Sequence, residues 1–327
     1  MNERNDMMPS DSSRRRKLRQ DRSMLIGAAA GVVLLIIFII AGAVSGSKKE
    51  KAGTDDSGAV SKKVISSKLE FEKKSVPYSD ISKGSLILVN DSHPYTSATA
   101  GGALADIDSE KNEYYSIRNA GMQMNDLALK NFNSMMSGFY QECSSTDIMI
   151  TEAYVSSDRQ NVIYNQALEN SRVESKGGYS EHQTGLAVDL GIYPEEGKSY
   201  RYVPSGDYAW IRDNCTKYGF IERYKDNKAE NTGITDHGEH FRYVGIPHAW
   251  YMTENDLSLE EYLQSLKKYA YGSKTLNVSC FDREFEIYYI RAKDETGSGN
   301  AELYVPVNCQ YSVSGNNADG FIVTIEK

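Results

Sequence analysis

The sequence predicts a mixed α+β protein: a small mixed or antiparallel sheet with flanking helices, one transmembrane helix before it and a small all-β domain after it. Three observations lead there. Residues 24–44 carry no charge and are rich in Leu, Ile, Val and Ala. Between residues 81 and 271, some stretches repeat apolar residues at three- and four-residue steps while others form short continuous apolar runs, the marks of helices and buried strands. From residue 272 to 327 the pattern changes to short alternating runs separated by Gly-rich breaks, as in small β domains.

Residues 1–23 are polar and hold seven Lys or Arg against four Asp or Glu, and read as a disordered cytoplasmic tail. Residues 24–44, at about 1.5 Å each, span about 30 Å, the thickness of a bilayer core. The apolar part of a signal peptide is shorter, ~7–15 residues, so this run reads as an uncleaved anchor. The basic cluster from Arg14 to Arg19 puts the N-terminus inside and the rest of the chain outside the cell membrane. Residues 45–80, small and charged, read as an extracellular linker.

Within residues 81–271, the run from Ser85 to Asn90 predicts a buried strand. Residues 122–143 predict a helix whose stripe is Leu127, Leu129, Phe132, Met135, Met136 and Phe139, a core face. Residues 148–151 predict a strand continuing to Tyr154–Ser156, with Ser157 capping a helix over 158–170. A helix over 207–218 ends at Gly219. Residues 220–224 predict a strand, and Ser258, with Glu260 and Glu261 behind it, starts a helix reaching about residue 269. His93 and His248, each beside a proline, read as structural. The C-terminal strands are expected near 276–280, 285–290, 303–305 and 321–325, too small a set to fold without leaning on the main domain.

The formal charge is −8, made of +3 in the first 23 residues and −11 in the rest. An acidic body argues against a nucleic-acid partner. The four cysteines, Cys143, Cys215, Cys280 and Cys309, include no Cys-x-x-Cys pair, so a thiolate metal site is not expected. Four separate thiols are favoured over a Cys280–Cys309 bridge.

The chemistry concentrates in Ser180-Glu181-His182-Gln183-Thr184-Gly185-Leu186-Ala187-Val188-Asp189, answered later by His237-Gly238-Glu239-His240. Gly185 permits a tight bend after His182. In the strand that follows, Ala187 and Asp189 share a face, and His240 opens a second strand-like run. Two imidazoles and a carboxylate form a three-ligand set for one Zn²⁺ per chain, leaving a fourth position for water.

The pattern Ser-x-His-x-x-Gly-x-Ala-x-Asp, preceded by Gly178-Tyr179 and followed by His240-Phe241-Arg242-Tyr243-Val244-Gly245, resembles the VanY-type D-alanyl-D-alanine carboxypeptidases, zinc peptidases of peptidoglycan. The resemblance spans about residues 86–266. It implies that His182, Asp189 and His240 are the metal ligands, that Ser180 helps to bind the substrate's terminal carboxylate, and that Gln160 stands where the family has a site glutamine. Two positions depart from the family. Its general base, a Glu three residues before the last ligand, is His237 here, and the one nearby carboxylate is Glu239. Its Tyr-Arg-Ser is Tyr154-Val155-Ser156 here, with Arg159 the nearest arginine. Tyr154 and Arg159 are therefore candidate substrate contacts, and His237 or Glu239 the candidate base. In a regular strand Glu239 would point away from the face of His240, so a bulge would be needed to bring it round.

The expected function is that of a membrane-anchored extracellular zinc peptidase removing the terminal D-alanine from peptidoglycan stem peptides. The stem peptide ending in D-Ala-D-Ala is its expected partner, and residues 24–44 meet the lipid bilayer. Two alternatives accompany it: a zinc-stabilised wall-binding protein that no longer cleaves, and an endopeptidase of the same fold.

Overall fold

In the computed structural model the described residues are 69–95, 102–169, 174–194, 197–235, 237–293 and 299–327. The tail, the apolar run 24–44 and most of the linker lie outside them. Among the described residues, no helix is long and apolar enough to cross a membrane.

The strands in chain order are β1 (Phe71–Pro77), β2 (Leu104–Asp106), β3 (Ser116–Ile117), β4 (Gln123–Asn125), β5 (Ile148–Glu152), β6 (Ala187–Ile192), β7 (Tyr200–Arg201), β8 (Phe220–Tyr224), β9 (His237–Tyr243), β10 (Leu276–Cys280), β11 (Arg283–Arg291), β12 (Asn300–Pro306), β13 (Tyr311–Gly315) and β14 (Gly320–Glu326). The helices are α1 (Ile107–Glu110), α2 (Asp126–Cys143), α3 (Ser157–Glu169), α4 (Ala209–Asn214), α5 (Ala229–Thr232), α6 (Ile246–Glu254) and α7 (Leu259–Leu266). The expected mixed α+β architecture is present. The main sheet runs β3-β5-β6-β9-β8, antiparallel except for the parallel β3–β5 pair, with β7 also on β6. The C-terminal sheet runs β10-β11-β14-β13.

Helix α2 begins where Asn125 accepts hydrogen bonds from the backbone N–H groups of Leu127 and Ala128, filling donors that the first turn leaves open. It buries Leu129, Phe132, Met135, Met136 and Phe139 against the main sheet's inner face, where Val188, Leu190 and Phe241 are also buried. Full burial of such side chains stabilises by about 1.5–3 kcal/mol each. Leu127 is half exposed although its neighbours Ala128 and Leu129 are fully buried, because at about 100° per residue it falls on the side of the helix opposite the stripe. Residues 123–125, expected as helix, instead pair with β2.

The run from Ser85 to Asn90 is buried as expected but is not a strand. Its side chains alternate between two cores, Ile87 and Val89 in one, Leu86 and Leu88 in the other. Its backbone is satisfied by distant groups instead of a ladder. Leu86 N–H donates to Ser314 Oγ at 2.9 Å and Leu88 N–H to the carbonyl of Asn316 at 3.2 Å, while the carbonyls of Ser85 and Ile87 accept from Arg242. Buried backbone polar groups need partners, but not the partners of a regular element.

Residues 71–77, within the stretch read as linker, form β1, antiparallel to β12. Their side chains are almost all exposed, so no hydrophobic alternation marks the strand; the ladder with β12 makes it. β13 also went unanticipated. Helix α7 starts as expected at Ser258, whose hydroxyl and Glu261 form a reciprocal capping box. It packs with α6, β10 and β11 into a second core that joins the C-terminal strands to the rest. His248 lies in that seam: Tyr262 Oη stands 2.7 Å from its Nδ1 and Thr324 Oγ1 3.0 Å from its Nε2. His93 is held in its turn, with Nδ1 2.9 Å from Asn90 Oδ1. The four cysteines are free thiols.

Candidate metal centre and active site

The outer face of the main sheet carries the site. Asp189 of β6 lies directly opposite His240 of β9 in the antiparallel register, so both side chains leave the same face. Ala187 shares that face and is small enough to leave room, while Val188 and Phe241 turn to the core. His182 comes from a short 3-10 turn, Glu181–Thr184, capped by Ser180 and closed by Gly185 at φ 69°. This backbone conformation is easy for glycine and strained for other residues. The bend turns the chain straight into β6.

These three residues converge. Each offers one ligand atom, and those atoms lie within 4.8 Å of one another. Asp189 Oδ1 is 2.7 Å from His240 Nδ1, and its Oδ2 is 3.3 Å from His182 Nε2. The imidazoles meet edge to face with centroids 4.9 Å apart. His182 Nδ1 is buried without a hydrogen-bond partner, which protein structures rarely tolerate. Two imidazoles and a carboxylate suit a divalent zinc ion, so the residues present fit that group.

Burial opposes ionisation of Asp189, but the flanking imidazoles of His182 and His240 outweigh it and hold the carboxyl well below its usual range. Burial likewise opposes the charged form of His240, yet Asp189 and Glu181 raise it to about 9. A cation entering here competes with that proton.

A cavity of about 120 Å³ opens over the cluster, lined among others by Ser180, His182, Asp189, Tyr224, His237 and His240. A bulge decides how the start of β9 meets it. Glu222 pairs with Phe241 and Tyr224 with His237, so four steps along β9 match two along β8. The surplus residues bring His237 round to the cavity side that His240 occupies. Glu239 is not among the lining residues. Its carboxylate accepts two hydrogen bonds from Arg201 of β7, at 2.6 and 2.8 Å, and stands 3.5 Å from His237 Nδ1. The bulge that Glu239 would need therefore exists, but it serves His237. The hydrogen bond to Glu239 raises the pKa of His237, with burial partly opposing it.

The other expected contacts divide. Ser180 lines the cavity, its Oγ accepting from the His182 N–H at 3.4 Å. Gln160 is buried on α3, where its Nε2 donates to the carbonyl of Ser175 at 2.8 Å and so braces the loop leading to Ser180. Gln160, Tyr154 and Arg159 are not among the lining residues. Val155 is buried, its N–H donating to the His182 carbonyl at 3.3 Å.

Sequence reading passed over Glu181, Arg223 and Arg242, whose side chains are wholly buried behind His240. A signal was present: Arg242 stands between Phe241 and Tyr243, and Arg223 follows Phe220 and Ile221 in a short strand, positions where a charge is rare unless paired.

A mixed sheet flanked by helices, carrying a His–Asp–His cluster at the floor of a cleft, defines the class of protein. The sequence model of the VanY family, D-alanyl-D-alanine carboxypeptidase, matches residues 121–246. A D-alanyl-D-alanine carboxypeptidase of Enterococcus faecium is 31% identical over 256 residues, 78% of this chain and 79% of that protein. The bifunctional D-Ala-D-Ala dipeptidase and D-Ala-D-Ala carboxypeptidase VanXYC of Enterococcus gallinarum is 34% identical over 137 residues, 38% of this chain and 72% of its own. The solved structure of the vancomycin resistance D,D-dipeptidase VanXYg, in complex with a D-Ala-D-Ala phosphinate analog, has a TM-score of 0.69 at 31% identity, covering 79% of this chain and 100% of that one. The chain belongs to the VanY D-alanyl-D-alanine carboxypeptidase family.

Proposed function

We propose that the protein is a zinc-dependent D,D-peptidase that removes the terminal D-alanine from peptidoglycan stem peptides, held at the outer face of the cell membrane by residues 24–44. The observation that carries the reading is the convergence of His182, Asp189 and His240 at the floor of the cavity. Family membership and the D-Ala-D-Ala chemistry named for the relatives support it. The uncharged run behind a basic tail supports the anchor.

His182, Asp189 and His240 would hold a zinc ion, which would supply Lewis acidity to the scissile carbonyl and to the attacking water. The protein's own groups do the rest. His237, on the cavity side, takes a proton from the attacking water and returns it to the leaving amine. Glu239 keeps the imidazole oriented from behind, itself pinned by Arg201. Ser180 offers its hydroxyl to the terminal carboxylate. The deciding experiment supplies the purified full-length chain with zinc and a stem peptide ending in D-Ala-D-Ala. Release of one D-alanine per peptide, abolished by chelation and restored by zinc, is expected. Turnover unaffected by chelation removes the metal mechanism, and cleavage inside the stem makes the chain an endopeptidase. The second reading, a wall-binding protein without turnover, draws on His237 standing where the family carries its base; peptide binding with zinc but no product establishes it.

A further inference from the structure

Against the Nε2 side of His240, where Glu181 also lines the inner wall of the cavity, lies a set of charges that the proposed chemistry does not use. Glu181 is fully buried. Its Oε1 accepts from Arg223 Nε at 2.9 Å and from Arg242 Nη1 at 2.8 Å, and its Oε2 lies 3.4 Å from His240 Nε2. Both arginine side chains are fully buried as well. Arg223 also forms two hydrogen bonds to Glu260 of α7, at 2.6 and 3.1 Å, and Arg242 donates to the carbonyls of Ser85 and Ile87. Two carboxylates and two guanidiniums thus balance in charge and tie β8, β9, α7 and the buried run before Asn90 to one point.

Removing Glu181, Arg223 and Arg242 from water, with Glu260 largely covered beside them, costs several kcal/mol per buried ion before their attraction offsets it, and apolar side chains of similar size often serve stability as well. Stability alone is therefore a weak reason for the cluster. Its geometry points elsewhere. The His240 ring has Asp189 at Nδ1 and Glu181 at Nε2, with the Tyr224 ring tilted over it at 4.9 Å. A neutral imidazole carries one proton, and the hydrogen bond at one nitrogen decides which nitrogen keeps a free electron pair.

We propose that Glu181 is a positioning residue for the metal site. Its carboxylate accepts the Nε2–H of His240, fixes the tautomer whose Nδ1 lone pair faces Asp189 and the cation, and raises the donor strength of that nitrogen. The two arginines keep the carboxylate anionic and aimed; in their absence it could turn towards the cation itself. This rests on the proposed zinc-dependent function, of which it specifies the side behind the ligands.

Two measurements on the full-length chain test it. The zinc dissociation constant is measured for wild type and Glu181→Gln by competition with a chromophoric chelator, alongside each thermal midpoint. Glu181→Gln is expected to weaken zinc about 10- to 100-fold, as loss of an outer carboxylate partner does. A folded variant with a lower midpoint but a dissociation constant within twofold of wild type makes Glu181 a folding element only and overturns the assignment. The wild-type chain, labelled with ¹⁵N-histidine and loaded with zinc, gives the second answer even if the variant does not fold. One histidine coordinated through Nδ1 with a protonated Nε2 is expected, and coordination of both histidines through Nε2 overturns the proposal. A wild-type chain that takes up no zinc overturns the functional reading and this one together, whereas unchanged affinity in the variant removes only the role of Glu181.

Discussion

His240 and His248 are equally buried, 4% exposed each, yet their protons are governed in opposite ways. His240, facing the carboxylates of Asp189 and Glu181, is raised to about 9. His248, in the seam between α7 and β14, has only the hydroxyls of Tyr262 and Thr324, and burial lowers it to about 3. Desolvation penalises the cation in both places; only at the metal site do anions overcome it. Burial alone makes a histidine a neutral fastener. Burial with carboxylates makes it a base already paired with a charge, which a divalent cation can replace.

The largest effect should come from breaking the anionic side of that contrast. Asp189→Ala removes the group shared by both imidazoles, and turnover of a D-Ala-D-Ala peptide should fall at least ~1000-fold, the several kcal/mol that a metal supplies. Residual zinc-dependent activity near wild type would mean that Asp189 is not a ligand. Next comes His237→Ala, expected to lower kcat by about 10²–10⁴-fold, the usual worth of a general base. Its partner, Glu239→Gln, should cost less than about tenfold, because Glu239 acts through His237. The pH profile separates the two candidates further. His237 works as a base only when neutral, so kcat/KM should rise with pH through its pKa; the hydrogen bond to Glu239 raises that pKa, and Glu239→Gln should move the limb downward. A limb in the carboxylate range would assign the base to a carboxylate instead.

The smallest effect belongs to His248 and concerns stability. Its folded pKa lies below the unfolded value of ~6.5, so its contribution is complete above that pH and is lost as pH falls towards 3. Between pH 6.5 and 5 the loss amounts to about 2 kcal/mol. Denaturant midpoints for wild type and His248→Gln at the two pH values should show the wild type alone carrying this slope; parallel slopes would show that the ring is not held neutral. His240 in the chelated chain has the opposite sign. Its contribution is full below ~6.5 and lost as pH rises through about 9, so chelated and zinc-loaded protein should diverge most on the alkaline side.

Much of the fold was legible. The α2 stripe at Leu129, Phe132, Met135, Met136 and Phe139 announced a core helix, Gly219 and Ser258 marked helix boundaries, and His182, Asp189 and His240 were identifiable from their flanking residues. What escaped depended on partners far along the chain. β1 has no apolar period because its ladder with β12, not side-chain burial, creates it. The run 85–90 looked like a strand because it is continuously apolar, but it threads between two cores.

By itself the sequence determined the residue types at the centre, the bend at Gly185 and the alternation that places Asp189 opposite the core, since local chemistry and a two-residue period suffice for these. Tertiary structure alone decided which of His237 and Glu239 reaches the cavity and what stands behind His240. Those outcomes turn on the bulge between β8 and β9 and on the meeting of Glu181 with Arg223 and Arg242, charges remote in sequence whose pairing exists only once the sheet has closed.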